Sequence, residues 1–395
     1  MSSLLSGRVP FALLVSLWLA ALTFVLPLAT EAVHVSAAPP GAPVELAGPC
    51  DFAAFWAAGR MAAAGNSAGA YDPAQLLPVE AANPPAHRLQ LLWYYPPPTL
   101  LLARAAQAPA FFPALFIWIG VLAGLAVFIL RFAGLPWPVI AAGLLSPASL
   151  LNTDLGQLGS LSGALFLAGL VLTETRPGAA GVLFGALIIK PQAGFLAPIL
   201  LLARGRWAGL AVGALSAGLL AAIALICFGA VTWRAFFAFS PFVSHVMLVE
   251  AFPHHAPPVA GSDELYGTSV FWMVRSFGGG LRISALAQSA ASLAAALACW
   301  AAWRRPNADP IARAALTTCL ALAIAPYGYV YDMCATSLAF AALAHQERRL
   351  HLVDALIFTW PVISLIIAFH FFLELTPLVL LLAAWRAARA LGRLA

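Results

Sequence analysis

Charged residues are scarce in this 395-residue chain, where Asp, Glu, Lys and Arg make up 9% of the sequence. A soluble domain carries about 25% charged and about 45–50% apolar residues, whereas here 63% of residues are hydrophobic and the mean hydropathy is +0.92. These values exclude a soluble enzyme, a disordered protein and a collagen-like fibre. They indicate a polytopic integral membrane protein, in which Pro and Gly within apolar runs are tolerated.

The sequence also lacks the motifs of several functional classes. It contains no G-x-x-x-x-G-K-[ST] loop and no H-E-x-x-H motif, so an ATP-driven or protease function lacks its parts. The five Cys residues have no metal-ligand spacing, and the loop pair His254-His255 has no suitably spaced partner for a zinc site. Because the net charge of +5 comes from scattered arginines, we expect no nucleic-acid partner.

Apolar segments predict an all-α polytopic membrane protein, with residues 1–395 forming a single integral membrane domain. We expect roughly 11–13 transmembrane helices, several of them short for a hydrocarbon core of about 30 Å. The first segment, residues 9–28, is long enough to span, so an uncleaved helix is favoured over a signal peptide. The segments lie near residues 9–29, 97–131, 136–150, 158–173, 178–203, 207–229, 284–303, 314–331, 333–345, 352–372 and 374–386.

Arginine placement predicts the orientation, because cytoplasmic loops carry an excess of Lys and Arg. With Arg8 in the cytoplasm, the long hydrophilic stretches 31–95 and 230–283 become the first and second long extracytoplasmic loops. Residues 52–64 of the first loop are apolar but too short to span, which predicts a helix lying in the membrane interface. Arginines that fit the cytoplasmic face are Arg204, Arg206, Arg304, Arg305, Arg348, Arg349, Arg386, Arg389 and Arg393.

Asp51 stands at the start of the predicted interfacial helix. An Asp in this position typically caps a helix by accepting hydrogen bonds from unpaired backbone N–H groups. The alternative is a carboxylate held at the membrane surface as a general base. Both roles are compatible, because a capping carboxylate is also well oriented.

Lys190 is the only lysine of the chain and interrupts the apolar run 178–203 together with Pro191. Since a lysine in mid-membrane costs about 2.5–3.5 kcal/mol on insertion scales, it normally faces a cavity, a partner or a ligand. Snorkelling to the interface is the alternative. A cation beside a broken helix on the outer face suits a lipid phosphate.

Three further patterns are polar or aromatic. The turn 152–157 ends in Gln157, although Gly and Asx also serve turns for backbone reasons alone. The aromatic stretch 93–95 before three prolines is typical of an interfacial belt, but aromatic rings also suit a sugar. The patch 327–332 ends in Asp332, which either caps a helix at the membrane face or lies in a cavity.

The order of these motifs resembles glycosyltransferase family 87, in the bacterial branch of the GT-C superfamily. The resemblance covers residues 51–332, and six motifs in sequence carry it. They are Asp-Phe-x-x-Phe-Trp-Ala-Ala-Gly-Arg from Asp51, Tyr-Asp-Pro from Tyr71, Tyr-Pro-Pro-Pro from Tyr95, Gly-Gln at 156–157, Lys-Pro-Gln from Lys190, and Pro-Tyr-x-x-x-Tyr-Asp from Pro326.

The resemblance implies a GT-C type bundle and a membrane hexosyltransferase, typically a mannosyltransferase, that uses a polyprenyl-phosphate-linked sugar on the outer face. Asp51 matches the acid of the first extracytoplasmic loop that serves as general base in an inverting transfer to a glycan or glycolipid. Phe52 follows where many GT-C enzymes carry a second acid, which weakens the case for a bound metal. We therefore assign no metal site and no cofactor, the lipid-linked sugar being a co-substrate, and leave divalent-metal dependence open.

Six other residues in these motifs form the predicted substrate-binding set. We infer these roles for Lys190, Gln157, Asp332, Arg60, Tyr95 and Tyr331. The implied location is a bacterial-type plasma membrane with the active site facing the extracytoplasmic side and membrane lipid as a partner. The alternative function is a secondary transporter or lipid-linked sugar flippase, which also uses broken helices and an intramembrane cation.

Overall fold

The computed structural model describes residues 51–82, 91–107, 110–250 and 267–392. These residues form sixteen α-helices and no β-strand. The helices are α1 (Phe52–Ala63), α2 (Pro73–Ala81), α3 (Pro97–Ala106), α4 (Phe111–Phe132), α5 (Trp137–Leu144), α6 (Pro147–Leu155), α7 (Gly159–Leu172), α8 (Pro177–Ala186), α9 (Ala197–Ala203), α10 (Trp207–His245), α11 (Val270–Ser276), α12 (Leu281–Arg304), α13 (Pro310–Ile324), α14 (Cys334–Glu347), α15 (Leu352–Phe371) and α16 (Thr376–Ala390).

Three helices in the described part of the chain are long and apolar enough to cross a membrane. They are α4, α12 and the segment Trp207–Val249, which contains α10. Shorter apolar helices such as α7 are buried on all sides, as expected where helices too short to span are covered by protein. The prediction of an all-α polytopic membrane protein is confirmed. The predicted first span, residues 9–28, lies outside the described residues.

Prolines divide several of the predicted segments. The run 97–131 is two helices, α3 and α4, and the run 136–150 contains α5 and the start of α6. A proline stands in the first turn of α3, α5 and α6, where its fixed φ and missing N–H are compatible with a helix start. The predicted break at Lys190 is present, because the 3₁₀ turns Leu187–Ile189 and Pro191–Gly194 separate α8 from α9.

Much of the predicted second long loop, 230–283, is helical. Helix α10 continues through it to His245 after a kink at Gly229, whose φ of 75° lies in the region that glycine tolerates. A π-helical turn, Val246–Glu250, and α11 also fall within this stretch. The pair His254-His255 lies outside the described residues.

Helix α1 forms where the sequence predicts the interfacial helix, but protein covers it. Ten of its twelve residues are buried. At Gly59 the helix passes so close to α3 that a Cβ there would overlap the carbonyl oxygen of Ala103. On another side the Phe52 and Phe55 rings pack against Trp118 of α4. The helix therefore holds its first residues in a fixed position within the protein.

Ion pairs gather at the ends of the helices that the arginine pattern assigns to the cytoplasm. Glu174, after α7, accepts hydrogen bonds from Arg204 Nε at 2.6 Å, Arg206 Nη2 at 2.6 Å and Arg313 Nη2 at 3.0 Å. Burial alone would raise the pKa of Glu174, but the arginine hydrogen bonds outweigh it and hold this pKa below its ordinary value. Glu347 pairs in the same way with Arg386.

Candidate active site

Asp51 directs its carboxylate away from the helix that it precedes. Within the described residues, its side chain accepts no capping hydrogen bond from the first turn of α1. Its Oδ2 instead accepts a hydrogen bond from Gln157 Nε2 at 2.5 Å. The prediction that Asp51 caps α1 is therefore wrong, and the half-buried carboxylate is committed to a contact between distant segments.

The turn Gly156-Gln157 joins α6 to α7 and delivers the amide to Asp51. Gly156 has φ 68°, and a Cβ at this position would lie 2.6 Å from the Cβ of Phe52. Only glycine permits both the left-handed backbone and the close approach of α1. Of the predicted turn 152–157, residues 152–155 belong to α6. The Asn152 Oδ1 accepts a hydrogen bond from Ser160 N at 2.7 Å, which connects α6 to α7.

Tyr95 extends this hydrogen-bonded chain from the other side. Its hydroxyl donates to Gln157 Oε1 at 2.6 Å, and its backbone carbonyl accepts from the Tyr71 hydroxyl at 2.9 Å. The Tyr95 ring also lies 4.8 Å from the ring of Phe55 in α1. Three predicted site residues, Tyr95, Gln157 and Asp51, are thus connected by direct side-chain hydrogen bonds.

Lys190 and Asp332 form a buried ion pair. The Lys190 Nζ lies 2.5 Å from Asp332 Oδ1, and the two side chains are 2% and 13% exposed. Lys190 Nζ also lies 5.0 Å from the ring centroid of Tyr331, which stacks on Tyr329. A carboxylate and a ring face together compensate for removing the ammonium group from water.

Tyr331, in the turn that precedes α14, connects these two groups of side chains. Its ring lies beside Lys190, and its carbonyl oxygen would be 2.6 Å from a Cβ on Gly159, two residues after Gln157. Burial raises the pKa of the Tyr331 hydroxyl, and the nearby Tyr329, Tyr95, Asp51 and Asp332 raise it further. The structure brings six predicted site residues into one cluster, which we call the outer cluster: Asp51, Tyr95, Gln157, Lys190, Tyr331 and Asp332.

Arg60 is the predicted site residue that the structure does not bring to the outer cluster. It lies in the last turn of α1, roughly 14 Å along the helix from Asp51 at 1.5 Å per residue. Its side chain is exposed and its guanidinium group lies 4.6 Å from the ring centroid of Trp56.

A groove of about 180 Å³ adjoins the outer cluster. Tyr95 and Tyr329 line it at the cluster, and Pro191 and Gln192 follow the broken helix beside Lys190. The opposite wall comes from α10 and the turn after it, through the residues Phe236, Phe239, Ser240, Val243, Ser244 and Met247. The sequence reasoning missed this wall because it assigned 230–250 to a loop, although the i, i+4 spacing of these residues is helical.

No three His, Cys, Asp or Glu side chains of the described segments cluster as ligands of a metal ion. The outer cluster combines one cation, two carboxylates and three neutral polar side chains. Such a set can accept a proton at one point and hold a negatively charged group at another.

Comparison with known families identifies the class of enzyme. The model of glycosyltransferase family 87 matches residues 93–326, more than half of the chain. The chain belongs to glycosyltransferase family 87. The match includes Tyr95, Gln157 and Lys190, whereas Asp51 and Asp332 lie on either side of it. No curated protein and no solved structure matches the chain.

Membership of the family confirms that this membrane protein is a glycosyltransferase. It therefore supports the predicted enzyme and not the alternative of a transporter or flippase. The sugar, the donor, the acceptor and the roles of individual residues are matters of chemical argument.

Proposed function

We propose that this glycosyltransferase transfers a hexose, with mannose as the expected sugar, from a polyprenyl-phosphate donor to an extracytoplasmic glycan or glycolipid, in a GT-C type fold. The reaction takes place at the outer cluster, on the extracytoplasmic face of a bacterial-type plasma membrane. One observation carries the proposal: the carboxylate of Asp51 and the only lysine of the chain belong to one largely buried cluster beside an aromatic groove.

Asp51 acts as the general base. It accepts the proton of the acceptor hydroxyl while that oxygen forms a bond to the anomeric carbon. The bond between the anomeric carbon and the phosphate oxygen breaks, and its electron pair leaves with the lipid phosphate. Attack opposite the leaving group inverts the configuration. General-base assistance of this kind contributes about 10²–10⁴-fold to the rate.

Lys190 stabilises the departing phosphate. Negative charge grows on that group in the transition state, and a fixed cation in a site with little water is effective against such charge. The ion pair with Asp332 keeps the ammonium group in place before the donor arrives. Because the lipid phosphate is already a leaving group, the site needs no nucleotide-binding fold.

The groove suits the isoprenoid end of the donor. Its walls are mainly aromatic and aliphatic, and it begins at Tyr95 of the outer cluster and at Tyr329, which stacks on Tyr331 of that cluster. A lipid chain in the groove therefore presents its phosphate to the region of Lys190. Aromatic rings beside the cluster also fit the apolar faces of a sugar ring.

The test is transfer from a polyprenyl-phospho-mannose donor by purified Asp51→Asn protein. We expect a loss of at least about 100-fold in kcat, as for removal of a general base, with an unchanged elution profile in detergent. Asp72→Asn is the matched control, because Asp72 lies in the same loop, is half-buried like Asp51 and caps α2 through Ala74 N. Retained activity in Asp51→Asn would contradict the proposal, whatever the control shows.

A further inference from the structure

We infer that the Tyr95 hydroxyl and the Gln157 amide position the Asp51 carboxylate and do not bind substrate themselves, although the Tyr95 ring lines the groove. Tyr95 sets the orientation of the Gln157 amide, and Gln157 sets the orientation of the Asp51 carboxylate. The inference rests on the proposed function in one respect, the role of Asp51 as base. It assigns a task to two residues that sequence motifs alone associate with substrate.

The polarity of the hydrogen bonds supports this assignment. An ionised carboxylate only accepts hydrogen bonds, so the end of the amide that faces Asp51 must be the NH₂ group. The carbonyl end then needs donors, and it receives the Tyr95 hydroxyl at 2.6 Å and the backbone N–H of Leu158 at 3.4 Å. A reversed amide would place its oxygen against the carboxylate and its NH₂ group against these donors. The Leu158 N–H can only donate and therefore disfavours the flipped orientation, while the short Tyr95 hydrogen bond strengthens the orientation that the carboxylate requires.

Packing holds both residues in place. Tyr95 is 7% exposed and Gln157 is 3% exposed. The Tyr95 ring contacts Phe55 of α1, the helix whose start carries Asp51, and its carbonyl is bound by Tyr71. Gly156 brings the Gln157 backbone against that same helix start. The base and the groups that orient it are thus parts of one packed unit.

Fixing the carboxylate affects the chemical step more than binding. With one oxygen held by Gln157, the rotation of the carboxylate about its Cβ–Cγ bond is restricted, so the oxygen that takes the proton keeps its direction. Misplacement of a reacting group by about 1 Å can cost about 100-fold in rate. The NH₂ and carbonyl groups of the Gln157 amide are meanwhile engaged within the protein and contribute little to substrate affinity.

The experiment compares Tyr95→Phe and Gln157→Met with the unchanged protein in the same transfer assay. We expect each variant to lower kcat by about 10–100-fold while KM for donor and acceptor changes by less than about 2-fold. In Gln157→Met the acidic limb of the profile of kcat/KM against pH should move to higher pH, because the carboxylate loses a donor that favours its charged form. The double variant should be no slower than Gln157→Met, since Tyr95 acts through Gln157.

A matched control exists outside the cluster. Gln75 Nε2 donates to Asp72 Oδ2 at 2.7 Å on the exposed surface of α2, so Gln75→Met removes the same type of contact and should leave all parameters unchanged. An increase in KM at constant kcat, or additive losses in the double variant, would overturn the inference in favour of substrate binding. If Asp51→Asn is inactive and the Tyr95 and Gln157 variants raise KM or give additive losses, only the positioning role fails. If Asp51→Asn is active, the proposed function itself fails.

Discussion

Replacing one member of the Lys190–Asp332 pair should destabilise the protein to an extent that depends on how well the remaining charge reaches water. Asp332→Asn leaves an ammonium group whose side chain is 2% exposed, whereas Lys190→Met leaves a carboxylate whose side chain is 13% exposed. The two single variants remove the same interaction. They differ in which charge stays behind.

The magnitude follows from the cost of an unpaired buried charge. Removing one partner of a buried ion pair typically costs about 3–5 kcal/mol, much of it from the partner left without compensation. We expect Asp332→Asn to fall within this range, because the Tyr331 ring returns only about 0.5–2 kcal/mol to the remaining cation. Lys190→Met should cost less, since water reaches the remaining carboxylate. The double variant should recover most of the loss, as buried pairs replaced together often do.

The assay is reversible unfolding in mixed micelles, followed by tryptophan fluorescence, which gives a free energy of unfolding for each variant. Asp72→Asn serves again as the control for loss of a carboxylate outside the outer cluster. Transfer activity is measured in parallel, and the double variant should stay inactive although it is stable, because Lys190 is absent. A free energy for Asp332→Asn within about 0.5 kcal/mol of the unchanged protein would refute the reasoning, since changes of that size are usual for uninvolved surface positions.

Two further predictions concern stability. Gly156→Ala should lower the free energy of unfolding by more than the strain of about 1–2 kcal/mol for a left-handed backbone, because the new Cβ would also meet Phe52. Gly65→Ala is the control for strain alone, since Gly65 has φ 81° and nothing lies within 4 Å of a Cβ there. Equal losses of unfolding free energy in the two variants would contradict this prediction. Burial raises the pKa of Glu80 from 4.5 to about 8. Because this pKa is raised on folding, the contribution of Glu80 to stability should be full below pH 4.5 and be lost as pH rises through 8. Glu80→Gln should therefore weaken the dependence of the melting temperature on pH across that range.

Local signals in the sequence predict the helices and their interruptions well. Hydrophobic runs locate the helices. The pair Lys190-Pro191 predicts a break, because a lysine is costly in mid-membrane and a proline removes a helical hydrogen bond. The same reasoning correctly selects Asp51 as a residue at a helix start. It does not identify the partner of the Asp51 carboxylate. Capping depends on neighbouring residues, whereas the observed partner, Gln157, is 106 residues away in the sequence.

Long-range contacts are the part that local patterns cannot supply. The ion pair joins residues 142 positions apart, and no periodicity indicates which carboxylate meets Lys190. The groove wall on α10 was missed for a different reason. Polar residues among its aromatic rings lower the local hydropathy, so the hydrophobic run ends before this stretch although its i, i+4 spacing is helical.

Members of the outer cluster lie at helix interruptions, which explains why the structure brings them together and leaves out the predicted site residue Arg60. Asp51 precedes α1, Tyr95 precedes α3, Gln157 joins two helices and Lys190 joins two 3₁₀ turns. Backbone N–H and C=O groups at the end of a helix need other hydrogen-bond partners, so polar side chains are favoured at such points. Arg60 lies within a helix and outside the cluster. In an apolar chain of this kind, a polar residue at a helix interruption is therefore a stronger candidate for the site than one of the same motif within a helix.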